Sequence, residues 1–310
     1  MPSSIAHFAA LSLIASLLGL PASAQPDAQR VGRAQQLRDT LQTQRENAKA
    51  KVSQESLGAV STNTHADRFD GRDLLVYLPS NMPTVGQRSM IVALHGGGGN
   101  AQFMLDHLKI NGVAEKRGFI VAYLNGSAAA QRLGDRLKAW NAGGGCCGKP
   151  YADKVDDIGY ITGAVHYLQR KHGVDKARTF GVGHSNGAIM TQTLTCMTEL
   201  YASVATLSGT LMAEGPGCPA ARGHTIRNYH GTEDANLPIA GGFGTKGVTT
   251  INFTSQRMAI ERFEAAGGRY ILTTLPGADH SIEHMSDASK RLDGLSIGER
   301  IAQDLGLAAP

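Results

Sequence analysis

Charged side chains are scarce, at 18% of the 310 residues, and aromatics scarcer, at 5% with Trp140 the single tryptophan. Proline is limited to 11, and the 38 glycines follow no period, which excludes a collagen-like or low-complexity chain. The chain has no internal repeat. No C-x-x-C or H-E-x-x-H spacing occurs, so a zinc site of the usual kinds is not expected. The formal net charge of +4 falls well short of the basic excess of a nucleic-acid-binding domain. No stretch reaches the ~18 apolar residues of a membrane span, so no stable membrane insertion is expected.

The longest apolar run, Phe8 to Leu20, has instead the length of a signal-peptide core. Ala22-Ser23-Ala24 follows it as a small-x-small cleavage site. The segment 1–24 therefore reads as a cleavable signal peptide, with cleavage after Ala24 and a mature chain that is periplasmic or secreted. One departure is the lack of Lys or Arg ahead of the run. The four cysteines fit export. Cys196 falls in an expected helix and Cys218 in the loop after it, so a Cys196–Cys218 disulfide is favoured. A bond between the neighbours Cys146 and Cys147 comes second, because it closes a small ring. The alternative is four inert thiols.

The positive charge is local. Residues 25–51 carry Arg30, Arg33, Arg38, Arg45, Lys49 and Lys51 against Asp27, Asp39 and Glu46. This polar stretch lacks the apolar face of a packed helix, so 25–64 reads as a basic arm or linker. From about residue 65 the pattern changes. Apolar runs at Arg72–Leu78, Ser89–Leu94, Phe119–Leu124, Thr179–Gly183, Ser203–Leu207, Thr225–Tyr229 and Tyr270–Thr274 predict strands. Helices are predicted between them at 101–116, from Asp156-Asp157 to Lys171-His172-Gly173, at 188–201 and at 255–265. This alternation predicts an α/β fold, a mostly parallel sheet flanked by helices, in a single catalytic domain over 65–310.

Gly183-His184-Ser185-Asn186-Gly187 is a G-x-S-x-G elbow placed after a buried strand and before a helix, where its mechanism requires it. Ser185 is the candidate nucleophile. A serine hydroxyl needs a base and an orienting acid, which follow in the order Ser, Asp or Glu, His in this architecture. His280 stands just past the last predicted strand and is the candidate base, with His284 as fallback. His224 precedes its strand and points to the wrong edge. Asp234, in the turn after Tyr229, is the candidate acid, with Glu233 as fallback; His230 reads as structural, bracing that turn. The oxyanion donors are the N–H of Asn186 and that of Gly97 in His95-Gly96-Gly97-Gly98-Gly99, with Gly96 close behind Gly97. Gly143–Lys149 nearly spells a phosphate loop, but Pro150 replaces the required Ser or Thr and no buried strand leads in. Beside it, Trp140 either stacks on substrate at the mouth of the site or anchors the core.

Taken together, LHGGGGN at 94–100, WNAGGGCCG at 140–148, DDIGYI at 156–161, GHSNGAIM at 183–190 and HGTED at 230–234 resemble the bacterial polyhydroxybutyrate depolymerase and feruloyl esterase family. The resemblance spans about 70–285. It implies an α/β-hydrolase fold, a serine triad falling on Ser185, Asp234 and His280, and pairing of Cys196 with Cys218. A family member usually carries a glycine-rich segment ending in His followed by Trp-Pro; here the segment is GADHSIEHM. The expected activity is that of a secreted serine esterase acting through an acyl-enzyme, with no metal or cofactor. Its substrate would be a hydroxybutyrate-type oligomer or polyester, or a feruloyl or acetyl ester. The same machinery can cleave amides, and some relatives resemble poly(aspartic acid) hydrolases, whose anionic chain a basic arm could hold. A non-catalytic binding protein on a hydrolase fold is the third reading. No nucleic-acid partner is expected, and the oligomeric state is not legible.

Overall fold

The computed structural model describes residues 63–129, 137–247 and 251–307. The expected signal peptide, 1–24, lies outside the described residues, as does nearly all of the basic arm, 25–64. Every described residue belongs to one compact unit, within Ser56–Pro310.

Eight strands make one sheet: β1 (Thr64–Phe69), β2 (Arg72–Tyr77), β3 (Arg88–Leu94), β4 (Ile120–Leu124), β5 (Val174–His184), β6 (Ser203–Leu207), β7 (Thr225–Gly231) and β8 (Arg269–Leu275). They lie in the order β1-β2-β4-β3-β5-β6-β7-β8. β2 is antiparallel to β1 and β4, and every other neighbouring pair is parallel. The central strands are continuous apolar runs because both faces are covered. Met90, Val92 and Leu94 pack with Ile120, Ala122 and Leu124 on one face. Ile91 and Ala93 pack with Val121 and Tyr123 on the other, the period-2 alternation of a strand.

The helices are α1 (Ala101–Leu108), α2 (Asn111–Arg117), α3 (Gly148–Ala152), α4 (Asp157–His172), α5 (Asn186–Met197), α6 (Gln256–Ala265), α7 (Ile282–Asp293) and α8 (Ile297–Asp304). α4, α5 and α6 cover the first face; α1, α2, α7 and α8 cover the second. α4 starts at Asp156, whose side chain accepts the Gly159 N–H, and stops at Gly173 in the left-handed region.

Three features depart from the sequence reading. The helix expected over 101–116 is two, because Lys109 turns left-handed at φ 51° and ends α1 with its N–H on Leu105 O. β1 is an additional edge strand, polar and half exposed, joined to β2 by a turn in which Asp70 and Gly71 both have positive φ. α7 and α8 also lie beyond the expected elements. α8 opens on a capping box formed by Ser296 and Glu299.

Two glycines decide how α5 docks. A Cβ on Gly187 would sit 2.3 Å from Leu94 O and 2.5 Å from His95 O, and one on Gly183 would sit 2.2 Å from Gly187 O. The backbones of β3, β5 and α5 therefore touch with no side chain between them, which only glycine permits. Cys196, near the end of α5, is bonded to Cys218 in the loop after β6, and Cys146 is bonded to Cys147. Among the described residues, no helix is long and apolar enough to cross a membrane.

Candidate active site

Ser185 sits where β5 turns into α5, with φ 54° and ψ −122°. That conformation costs a non-glycine residue roughly 1–3 kcal/mol. It is held by the Ser185 N–H on Leu207 O at 2.9 Å and by Ser185 O accepting from the Ile189 N–H at 3.0 Å. The sharp turn lifts the hydroxyl off the carboxyl end of the sheet. Ser185 Oγ lies 2.8 Å from His280 Nε2, and His280 Nδ1 lies 2.8 Å from Asp234 Oδ2. The three side chains come from the ends of three strands: β5, β7 and β8.

Asp234 is fixed on every side. Its Oδ1 accepts the N–H groups of Asn236 and Leu237, each at 2.9 Å. His230 Nε2 stands 3.4 Å from its Oδ2. The same nitrogen donates to Leu237 O at 2.8 Å, while His230 Nδ1 accepts from Gln256 Nε2 at 3.3 Å. Burial alone would raise the Asp234 carboxyl, but the hydrogen bonds from His230 and His280 outweigh it and hold it well below the usual carboxylate range. His230 is thus a brace that also faces the carboxylate. The β7 and β8 loops are locked together: Glu233 N–H bonds Ala278 O at 2.9 Å, and a Cβ on Gly231 would meet Ala278 O at 2.3 Å.

The fallback residues stand apart from this chain of contacts. His284 is exposed and pairs with Asp279 at 2.9 Å, and Glu233 is exposed. His224 lies ahead of β7, away from the cleft.

In the glycine loop after β3, Gly98 N–H bonds Lys138 O and Gly99 N–H bonds Gly96 O. Among the described residues neither the Gly96 nor the Gly97 N–H has such a partner; a Cβ on Gly96 would lie 3.2 Å from Ser185 Cβ, and one on Gly97 3.6 Å from Asn186 Cβ. The Asn186 N–H is the first of α5, left without an intrahelical acceptor. Among the described residues, amides of the glycine loop and of Asn186 thus stand unpaired near Ser185, at the positive end of a helix dipole.

Trp140 does not reach the cleft, which corrects its candidacy as a substrate-stacking residue. It is fully buried, and its indole N–H donates to His95 O at 2.9 Å. Its backbone is gripped by the Asn186 carboxamide, which accepts from Trp140 N–H at 2.8 Å and donates to Trp140 O at 3.0 Å. The next residue is held too. Asn141 N–H bonds Asp157 Oδ2 at 2.7 Å, and Asp157 Oδ1 pairs with Arg72 at 2.6 Å. The WNAG and DDIGYI motifs are therefore one structural device that sets the wall of the site.

Two histidines play parts the sequence reading did not assign. His184, the variable residue of the elbow, is buried; its Nε2 donates to His280 O at 2.8 Å, and the two rings are 5.0 Å apart. Burial pushes it down to about 3, with the neighbouring His280 adding to the effect. His95 bonds Gly96 O at 2.8 Å and accepts the Gly126 N–H at 3.0 Å. Burial pushes it to about 4. The ordinary value of 6.5 applies in the unfolded chain, which takes up these protons first as pH falls. Stability is therefore lost on acidification from about pH 6.5 toward 3–4, by up to about 1.4 kcal/mol per pH unit for each histidine. Urea midpoints at pH 7, 6 and 5 should fall steadily, and less steeply in His184→Gln.

Ser185 and His280 open onto a cleft of about 320 Å³, with Asp234 buried behind the imidazole. Its walls include Phe103, Ile189, Leu237, Phe253, the Cys146–Cys147 disulfide and, at the lip, Lys246. Among the described residues, no acidic side chain lines it. Among the described residues, no group of three or more His, Cys, Asp or Glu side chains is arranged to hold a metal.

The fold recurs in solved structures. An acetyl xylan esterase from Aspergillus awamori is 16% identical with a TM-score of 0.53, covering 79% of this chain and 99% of its own. Thermogutta terrifontis esterase 2 is 17% identical with a TM-score of 0.54, covering 80% and 97%. No curated protein matches the chain in sequence. The family model for esterase PHB depolymerase matches residues 73–229, half of the chain, and takes in the glycine loop, the elbow and the strand that leads to Asp234. The chain belongs to that family of α/β-hydrolase esterases.

Proposed function

We propose that this protein is an exported serine esterase that cleaves carboxylic esters through an acyl-enzyme. The observation that carries the reading is the unbroken relay Ser185–His280–Asp234, with 2.8 Å at each link, at the foot of a cleft. Ser185 Oγ attacks the ester carbonyl as His280 Nε2 takes its proton. The carbonyl oxygen, now negative, is met by the Gly97 and Asn186 N–H groups. His280 then gives the proton to the leaving alkoxide, and the alcohol departs. Water, deprotonated by the same imidazole, releases the acid. Asp234 keeps the Nδ1–H tautomer throughout and offsets the imidazolium charge.

The mainly apolar lining favours a short aliphatic or hydroxyalkanoate ester, such as a hydroxybutyrate oligomer, over a large aromatic acid. The two disulfides favour an oxidising compartment. A second reading, hydrolysis of an anionic polyamide such as poly(aspartic acid), draws on Lys246 and the absence of acids in the lining. A fluorophosphonate ester tests the shared mechanism: it should label Ser185 alone, as read by peptide mass spectrometry. No labelling, or labelling elsewhere, overturns it. Product release from hydroxybutyrate trimer, methyl ferulate, acetylated xylan and polyaspartate then separates the substrates.

A further inference from the structure

Resting on the esterase reading, we infer that the Cys146–Cys147 disulfide is the wall of the acyl pocket and sets the length of acyl chain the enzyme accepts. Both cysteines line the cleft beside Ser185. Behind them lies the apolar core of that face, of which both are part together with Trp140, Ala142 and Met212. Their backbone cannot retreat: Cys146 N–H bonds Gly143 O, Cys146 O accepts from Ala142 N–H at 2.7 Å, and Cys147 N–H bonds Trp140 O.

The wall adjoins the reacting atoms. Asn186 Nδ2 lies 3.4 Å from Cys146 Sγ, and the main-chain N–H of the same asparagine is one of the two oxyanion donors. The side of the cleft is assigned by the proton path. The leaving alcohol must lie against His280 Nε2, which hands it a proton. Among the described residues His280 bonds Ser185 and Asp234 through its ring and His184 through its main chain, whereas the disulfide is met by the Asn186 side chain. The group held against the disulfide, with Ile189 beside it, is therefore the acyl part of the ester.

A disulfide is one bonded unit, and reduction replaces it with two thiols whose sulfurs can no longer overlap and must part. With the backbone pinned and the core filled, separated thiols have only the cleft to move into. Removing both sulfurs has the opposite effect and deepens the pocket. Room for one more buried methylene is worth about four-fold in kcat/KM.

The test compares kcat/KM for p-nitrophenyl acetate, butyrate, hexanoate and octanoate in two proteins, each before and after a trialkylphosphine. The phosphine takes oxygen from water as the disulfide becomes two thiols. In Cys146→Ala/Cys147→Ala the hexanoate-to-acetate ratio should rise about four-fold or more. In the reduced wild type the ratio should fall. Reduction of the double variant, which retains only Cys196–Cys218, should leave its ratio unchanged. A ratio that stays constant across all four states, with rates moving in parallel, overturns the proposal and leaves the disulfide as a strut. If the double variant does not fold, Cys196→Ala/Cys218→Ala, whose single disulfide is Cys146–Cys147, decides in its place before and after the phosphine, with thiol titration confirming reduction. Failure of the esterase reading looks different: the untreated wild type turns over none of the esters.

Discussion

Ser185→Ala is expected to lower kcat for p-nitrophenyl butyrate by about 10⁶-fold, with KM little changed. The nucleophile is then absent, and what remains is the catalysis that two oriented amides and binding provide, roughly 10³–10⁴ over water. The fold should not register the change. Alanine meets the same strain at φ 54° as serine does, and the backbone bonds to Leu207 and Ile189 are untouched. The lost hydroxyl frees a single hydrogen bond to a partly exposed imidazole, worth about 1 kcal/mol or less. Matching urea midpoints with activity gone would assign the chemistry to this oxygen. A variant within ten-fold of wild type would move the nucleophile elsewhere.

Asp234→Asn is expected to cost about 10⁴-fold in kcat, for a reason visible in the donors around it. The Asn236 and Leu237 N–H groups require an acceptor at Oδ1. The asparagine must therefore put its oxygen there and its NH₂ where Oδ2 stood. That NH₂ faces His280 Nδ1 at one side and the Nε2–H of His230 at the other. His280 can only respond by accepting at Nδ1 and carrying its proton on Nε2, which leaves no base for Ser185. Raising pH should restore part of the rate as hydroxide replaces the missing base. In Asp234→Ala the imidazole loses its orientation as well, so the loss should be at least as large. Equal kcat in wild type and Asp234→Asn would place the orienting acid elsewhere.

Much of the sheet was legible because burial on both faces writes itself as uninterrupted apolar runs, as in Met90–Leu94 and Ile120–Leu124. Edges were not. β1 is half solvated, so its composition resembles a loop, and its pairing is set by the turn at Asp70-Gly71 rather than by apolar pattern. The break at Lys109 was invisible for a similar reason: a left-handed lysine is a tertiary outcome, while helix periodicity continues through it. The box around Ser296 and Glu299 is a start signal for α8 that the spacing Ser-x-x-Glu carries in the sequence.

At the site, the elbow, the glycine loop and the order of Ser, Asp and His could be read from spacing, since each is a local backbone requirement. The partners of those residues could not. His184 occupies the unspecified position of the elbow, and its bond to His280 O joins residues 96 apart in sequence. Trp140 was undecidable from sequence because a tryptophan beside a cleft and one beneath it look alike. Its neighbour Asn141 and the distant Asp157 carried the information, through a contact that no periodicity encodes.

The glycine contacts between β3, β5 and α5 have a bearing on how such an enzyme can change. The nucleophile's seat is fixed by main chain against main chain, so no side-chain exchange elsewhere can readily tilt it. The cleft walls come instead from separate segments: Phe103 of α1, Cys146-Cys147 ahead of α3, Leu237 after β7, and Phe253. Reaction and selectivity thus reside largely on different segments, joined at Asn186, which holds Trp140 and meets Cys146. Such a chain can drift from one ester to another, by insertion or replacement in a single loop, without passing through a form that has lost its chemistry.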